Sequence, residues 1–257
     1  MKRRSHCGAV LRACVLALFA CAPARADGLA DLKAALARAA TAGPLKAAID
    51  VRSWHRLGEG KDAVDDNGQA ALQIEDGARG LSVSYPKDVL ARMDGELRAR
   101  AVNPNTRAPT LAALGELSVA NLQPMVSAAP GLQRSLLKAV FKSERADSHE
   151  GKPARLLNFE IPITTLSDRD RKYAKRIEAT WDVWIGEGGM PLASRLRQKI
   201  WGRAFVVVSF ESSLEEDCVY GMAGDRLLML RREVRNSAAG AGERDEGKVI
   251  KTLQVVP

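Results

Sequence analysis

The segment Gly242-Glu243-Arg244-Asp245-Glu246-Gly247-Lys248 has the spacing of a phosphate-cradling loop as far as its lysine. Val249 then stands where a Ser or Thr hydroxyl should ligate magnesium, and only nine residues follow Lys248. That is too little chain for the helix and later strands such a loop needs, so a turn between the last two strands accounts for the glycines. Asp62, Asp65, Asp66 and Asn67 before Gly68 hint at a calcium loop, but Ala63 occupies the place of its first Asp. A solvated turn is expected there, as for Glu215-Glu216-Asp217, and a solvated loop or short helix for Asp168 to Lys172. Beyond residue 26 the histidines are His55 and His149, in no zinc-ligand spacing. A Ser-His-Asp triad needs no adjacency in sequence, yet the Gly-x-Ser-x-Gly elbow is missing. Cys218 follows three carboxylates, which oppose thiolate formation, so it reads as a half-buried hydrophobe rather than a nucleophile. No catalytic residue, metal or cofactor is expected.

The aromatic residues offer more. Trp54, Trp181 and Trp184 fall in expected strands, and Trp201 directly follows one. Trp181 and Trp184 are three apart, so they point to opposite faces of a sheet. A tryptophan facing away from the main core would suit ordinary rim packing or an apolar cleft for a lipid-like ligand.

The elements that must position these residues follow from periodicity. Asp27 can cap a helix carrying Leu29, Leu32, Leu36 and Ala39 or Ala40 on one stripe, ended by Gly43-Pro44. Strands are expected at 45–57, 69–75 and 81–85, with turns through Asn67-Gly68 and Asp76-Gly77. Residues 86–141 are rich in alanine, leucine and proline, with helices expected at 89–102, 110–121 and 131–141. Strands then resume at 143–148, 154–161, 176–185, 192–200, 204–213, 219–222, 226–235 and 248–256. The stretch 176–185 alternates Ile177, Ala179, Trp181, Val183 and Ile185 against polar neighbours, a half-buried strand with one wet face. Tight turns between consecutive strands make the sheet antiparallel, and the absence of βαβ alternation excludes a doubly wound fold.

The chain has 257 residues, 46% hydrophobic and 27% charged, ample for a sizeable core. No run reaches the roughly 20 apolar residues that a membrane-spanning helix needs. Its start reads as an address. Lys2, Arg3 and Arg4 precede an apolar run from Ala13 to Ala22, then Pro23 and the small-residue site Ala24-Arg25-Ala26. Residues 1–26 are thus an export signal cleaved before Asp27, with 27–257 a single domain. An alternative is lipidation at Cys21 within Leu18-Phe19-Ala20-Cys21; Arg3-Arg4 fits a twin-arginine signal less well. The signal holds five of the 39 basic side chains and none of the 31 acidic ones, so the formal charge of +8 falls to +3. Nucleic-acid binding loses its main support with it. Cys7, Cys14 and Cys21 leave as well, and Cys218 alone can form no internal disulfide.

The order of elements resembles the periplasmic lipoprotein-carrier (LolA-like) family. The resemblance rests on Leu29 to Ile49, on Glu150-Gly151-Lys152-Pro153-Ala154, and on Trp184-Ile185-Gly186-Glu187-Gly188-Gly189-Met190-Pro191-Leu192. It implies an α+β fold: an N-terminal helix and a strongly curved antiparallel sheet forming an open half-barrel, with the helical interlude 86–141 covering the concave face. It also implies an acyl chain held in the concave cavity. A half-closed sheet leaves an interior its own side chains do not fill.

The expected protein is therefore exported and periplasmic, binding a lipid or lipidated partner without catalysis, in lipid or lipoprotein transport to the outer membrane. Ile177, Trp181, Val183, Leu196, Val206, Val208 and Phe210 would line the cavity, with helices 89–102 and 110–121 as a lid. These assignments depend on a period-2 register that one bulge inverts. The partners expected are a lipid or acyl chain, a lipoprotein or envelope protein, and peripheral contact with a membrane. The alternative is a non-catalytic envelope module that docks a protein through edge strands or the helical interlude. The third is an exported hydrolase.

Overall fold

A computed structural model describes residues 27–40, 43–204 and 208–256; the export signal expected at 1–26 and the alternative lipidation site Cys21 lie outside these residues. Asp27 accepts from the amides of Leu29 and Ala30 and starts α1 (Gly28–Arg38), as its position before the leucine stripe predicts. Leu32, Ala35 and Leu36 of that stripe are fully buried. Each leucine contributes about 1.5–3 kcal/mol.

The chain then forms β1 (Leu45–Leu57), β2 (Val64–Gly77) and β3 (Gly80–Ser84). Four helices follow: α2 (Lys87–Val102), α3 (Pro109–Gly115), α4 (Val119–Val126) and α5 (Ala129–Lys138). Next come β4 (Val140–His149), β5 (Lys152–Glu160) and the short α6 (Asp168–Tyr173). The chain closes with β6 (Ala174–Ile185), β7 (Pro191–Ala204), β8 (Val208–Ala223), β9 (Arg226–Gly240) and β10 (Glu243–Val255). The strands make one antiparallel sheet in the order β3-β2-β1-β10-β9-β8-β7-β6-β5-β4. The fold is α+β. The sheet is curved and open, with β3 and β4 as its edges, and it is not closed into a barrel. The first and last strands of the chain are neighbours, third and fourth in that order, and Ile49 of β1 lies opposite Leu253 of β10.

Alternation assigns the faces. Leu45, Ala47, Ile49 and Val51 of β1 and Ala70, Leu72 and Ile74 of β2 are buried, and they join the helices in one core. Trp181 and Trp184 do take opposite faces. Trp181 stacks on Phe159 within the core, at 5.1 Å between centroids. Trp184 donates to Asp147 at 3.1 Å on the outer face.

Several local expectations change. Gly68 is not in a turn. It lies within β2, where a Cβ would stand 2.4 Å from Ser53 Oγ and 2.6 Å from the Ala113 amide nitrogen, so its lack of a side chain lets α3 close on the sheet. Asp65, Asp66 and Asn67 belong to the same strand. The expected helix 110–121 is two helices. α3 ends at Gly115 and Ser118 caps α4, accepting from the Asn121 amide. Glu215-Glu216-Asp217 is not a turn either. It lies in mid-strand, merging the two strands expected at 204–213 and 219–222 into β8. Its acids are held by arginines of the flanking strands: Asp217 by Arg195 and Arg235, Glu215 by Arg197 and Arg235. Of the turn expected over 242–248 only Gly242 lies in a turn, with Ala241; Glu243 to Lys248 belong to β10 and pair with β9.

α1 is fixed across the sheet's far end. Asp31 pairs with Arg155 at 2.5 Å, the Gly28 amide donates to Glu144 at 2.9 Å, and Arg38 donates to the Gly188 carbonyl at 3.0 Å. Gly189, in the turn between β6 and β7, has φ +78°, and a Cβ there would lie 2.4 Å from the Asp31 backbone. Gly189→Ala should therefore undock α1 and cost more than about 1 kcal/mol. A lower urea midpoint with earlier proteolysis of residues 27–40 is the expected readout.

Candidate functional site

The α4–α5 junction is tied to the sheet by one backbone bond, from the Ala128 amide to the Leu227 carbonyl at 2.9 Å. Leu122, Met125, Val126 and Leu132 are buried, and all four belong to the core. Beyond this anchored edge the two helices and the sheet diverge. They border a half-open cavity of about 560 Å³, within the roughly 300–1,000 Å³ of small-molecule sites. Its apolar floor is Trp181 on β6, Leu196 on β7 and Met229 on β9. Leu132 of α5 roofs it, and Ile161 and Leu166 from the loop after β5 close one side. Pro124 in α4 also lines it; having no N–H, it leaves the Ala120 carbonyl without its helical donor.

Met229 and Arg232 both line this cavity although they are three positions apart. A regular strand would turn them to opposite faces. The β8–β9 register shifts between Val219 and Tyr220, so that Met229 faces Tyr220 and Arg232 faces Cys218. Leu230 is the extra residue on β9. It packs on Gly221, where a Cβ would stand 2.6 Å from its Cδ1.

The floor has a polar lane. Arg232 holds Glu216, Nη2 to Oε2 at 2.5 Å and Nε to Oε2 at 3.1 Å. Burial disfavours the guanidinium charge, but Glu216 outweighs it and raises the Arg232 pKa. Ser194 Oγ and the Tyr220 hydroxyl share a hydrogen bond at 2.8 Å, and burial pushes the phenol pKa well up. The Cys218 thiol lies 3.5 Å from the other Glu216 oxygen. Burial first, and that carboxylate second, raise its pKa and hold it protonated. Lys251 of β10 lies directly opposite Arg232 and is 3% exposed. Burial and Arg232 lower its pKa, against weaker support from Glu116 and Glu216. Among the described residues its ammonium makes no ion pair.

The convex face differs. Glu233 there is buried among Lys248, Arg231 and Arg235, with Lys248 at 3.1 Å. Burial works to raise its pKa, but the three cations together outweigh that and keep the carboxyl below its ordinary range. Among the described residues no group of three or more His, Cys, Asp or Glu could hold a metal ion.

Of the residues expected to line the cavity, Trp181 and Leu196 do. Val183 is fully buried in the core beside Leu157 and is not among the cavity walls. Ile177 and Phe210 lie on half-buried strand positions towards one end of the sheet, outside the cavity. Phe210 packs there over Gly202. Val206 lies outside the described residues, and Val208 opens β8. The lid is displaced from the expected one. α2 packs on α3, held by Glu96, which accepts from the Thr110 and Leu111 amides at 2.9 and 3.0 Å. The cavity is roofed instead by α4 and α5. Sequence reasoning missed Tyr220, Met229 and Arg232. The alternation Leu214, Glu216, Cys218, Tyr220 was the available signal for the first; the bulge hid the other two.

No family model matches the chain, and no curated protein matches it. Among solved structures it is similar to "Crystal structure of MucB in complex with MucA(peri)", with 9% identity, a TM-score of 0.25, and coverage of 89% of this chain and 93% of that one. A likeness that slight carries no argument about this chain. No helix among the described residues is long and apolar enough to cross a membrane.

Proposed function

We propose that this chain is an exported, periplasmic, non-catalytic protein that holds an acyl chain or lipidated partner between the concave sheet face and α4–α5. The cavity of about 560 Å³ is the observation that carries the reading, with Trp181, Leu196, Met229, Leu132, Ile161 and Leu166 as apolar walls. The LolA-like order of elements supports the same occupant, and transport of lipid or lipoprotein is the role such binding would serve. The export signal supports the compartment.

Gly131 supplies a clean test. It lines the cavity on α5, and a Cβ placed there meets no atom within 4 Å. Gly131→Phe should fill the space without backbone strain, and replacing a helical glycine does not weaken the helix. Native mass spectrometry of protein purified from periplasm without detergent should show solvent-extractable added mass in the wild type. The variant should lose it and keep its denaturation midpoint. A clean apo mass in the wild type, unchanged after incubation with phospholipid vesicles, would defeat the reading.

A second reading has its own observation. β4 is an edge strand exposed along nearly its whole length, with Val140 and Phe141 exposed at one end beside Leu137. An envelope protein adding a strand there would make this chain an interaction module. Lys142, Glu144, Arg145 and Asp147 on that strand oppose the pairing, so the cavity is the preferred site.

A further inference from the structure

The charges around the cavity do not balance. Its charged walls are Arg134, Lys138 and Arg232 against the single acid Glu216. Arg232 uses that acid. Arg134 and Lys138 are one turn apart on α5, at the exposed end of the cavity, and pair with no carboxylate among the described residues. A second imbalance lies outside the cavity walls. Lys251 sits directly opposite Arg232, so two cations face each other across adjacent strands, and like charges in that relation repel. Burial and that repulsion lower the Lys251 pKa, against weaker support from Glu116 and Glu216. An anionic group at Arg134 and Lys138 would balance the cavity's charged walls, and a neutral ligand would not.

We infer that the cavity selects an amphiphile with an anionic head, a carboxylate or a phosphate monoester, whose chain lies on Trp181, Leu196 and Met229 and whose head meets Arg134 and Lys138. The inference rests on the cavity reading above and adds the chemistry of the head. Arg134 and Lys138 make the direct contacts, as cations do for carboxylates and phosphates, and Lys251, outside the cavity walls but opposite Arg232, adds a longer-range positive field. Such contacts weaken with salt.

The test uses three single-chain probes below their micelle concentrations: palmitate, hexadecyl phosphate and uncharged monopalmitin. Tryptophan fluorescence and calorimetry report binding to the delipidated exported protein. Palmitate or hexadecyl phosphate should bind at least tenfold tighter than monopalmitin, and the margin should shrink as salt rises. The double variant R134E/K138E, changed only at exposed positions, should erase the margin by weakening palmitate and hexadecyl phosphate. Equal affinity for all three probes would overturn head selection while leaving the cavity reading intact. Binding of none of them would overturn both. Full competition by inorganic phosphate or acetate alone would show a free-anion site and overturn the amphiphile.

Discussion

Arg226→Ala should destabilise the protein by about 3–5 kcal/mol, the cost of breaking a buried ion pair by removing one partner. Arg226 is 3% exposed and opens β9. Its Nη1 donates to Asp76 Oδ2 at 2.8 Å and to the Val126 carbonyl at 3.2 Å. One guanidinium therefore joins the end of β2, the last residue of α4 and the start of β9. Alanine would leave the Asp76 carboxylate and the Val126 carbonyl unmatched in a low-dielectric place. The expected result is a large drop in the urea midpoint. The second arm is a double-mutant cycle. R226M/D76N should cost less than the sum of the two single changes, because neither half-pair is left behind. Additive losses would show that the pair does not act as a unit. Since Val126 ends the helix that roofs the cavity, Arg226→Ala should also lower ligand occupancy at temperatures where the protein remains folded.

Lys251→Met should act in the opposite direction and raise stability by about 1–2 kcal/mol, the lower part of the range seen when buried ionic groups give way to hydrophobic ones. The sign follows from linkage. The folded-state pKa of Lys251 lies below the ordinary 10.5. The unfolded chain thus holds that proton more tightly, and the penalty on the fold is complete below the folded-state pKa. It is relieved as pH rises through the folded-state value towards 10.5. The stability gap between variant and wild type should therefore narrow at alkaline pH. The same variant should bind the anionic probe more weakly, because the field that favours the head group loses one charge. A gain in stability together with a loss of anion affinity would mark Lys251 as a residue kept for function at a cost to the fold. A variant less stable than wild type would show that Lys251 is satisfied in the protein, against the charge imbalance argued above.

The legible part of the site was the part written in local alternation. Trp181 and Leu196 line the cavity because β6 and β7 keep period-2 alternation through those residues. Val183 shares the face of Trp181 but is buried in the core, and nothing local distinguishes the two. Glu215-Glu216-Asp217 misled because three acids in a row suggest solvent. Their partners, Arg195, Arg197, Arg232 and Arg235, lie on strands distant in sequence. The helix that roofs the cavity was read as ending in strand territory, at residue 141. The helices chosen as lid were the longer ones, since length is visible in sequence and destination is not.

By itself the sequence determined the α+β composition, the capped leucine helix at Asp27, the antiparallel strands and the opposed faces of Trp181 and Trp184. All of these depend on periodicity and capping within a few residues. The tertiary structure decided which helices cover the concave face, through the Ala128–Leu227 bond. It also decided that Met229 and Arg232 share one cavity. Leu230 is an extra residue on β9, admitted where Gly221 leaves room on β8. That insertion inverts the parity on which every reading of the strand from its own residues depends.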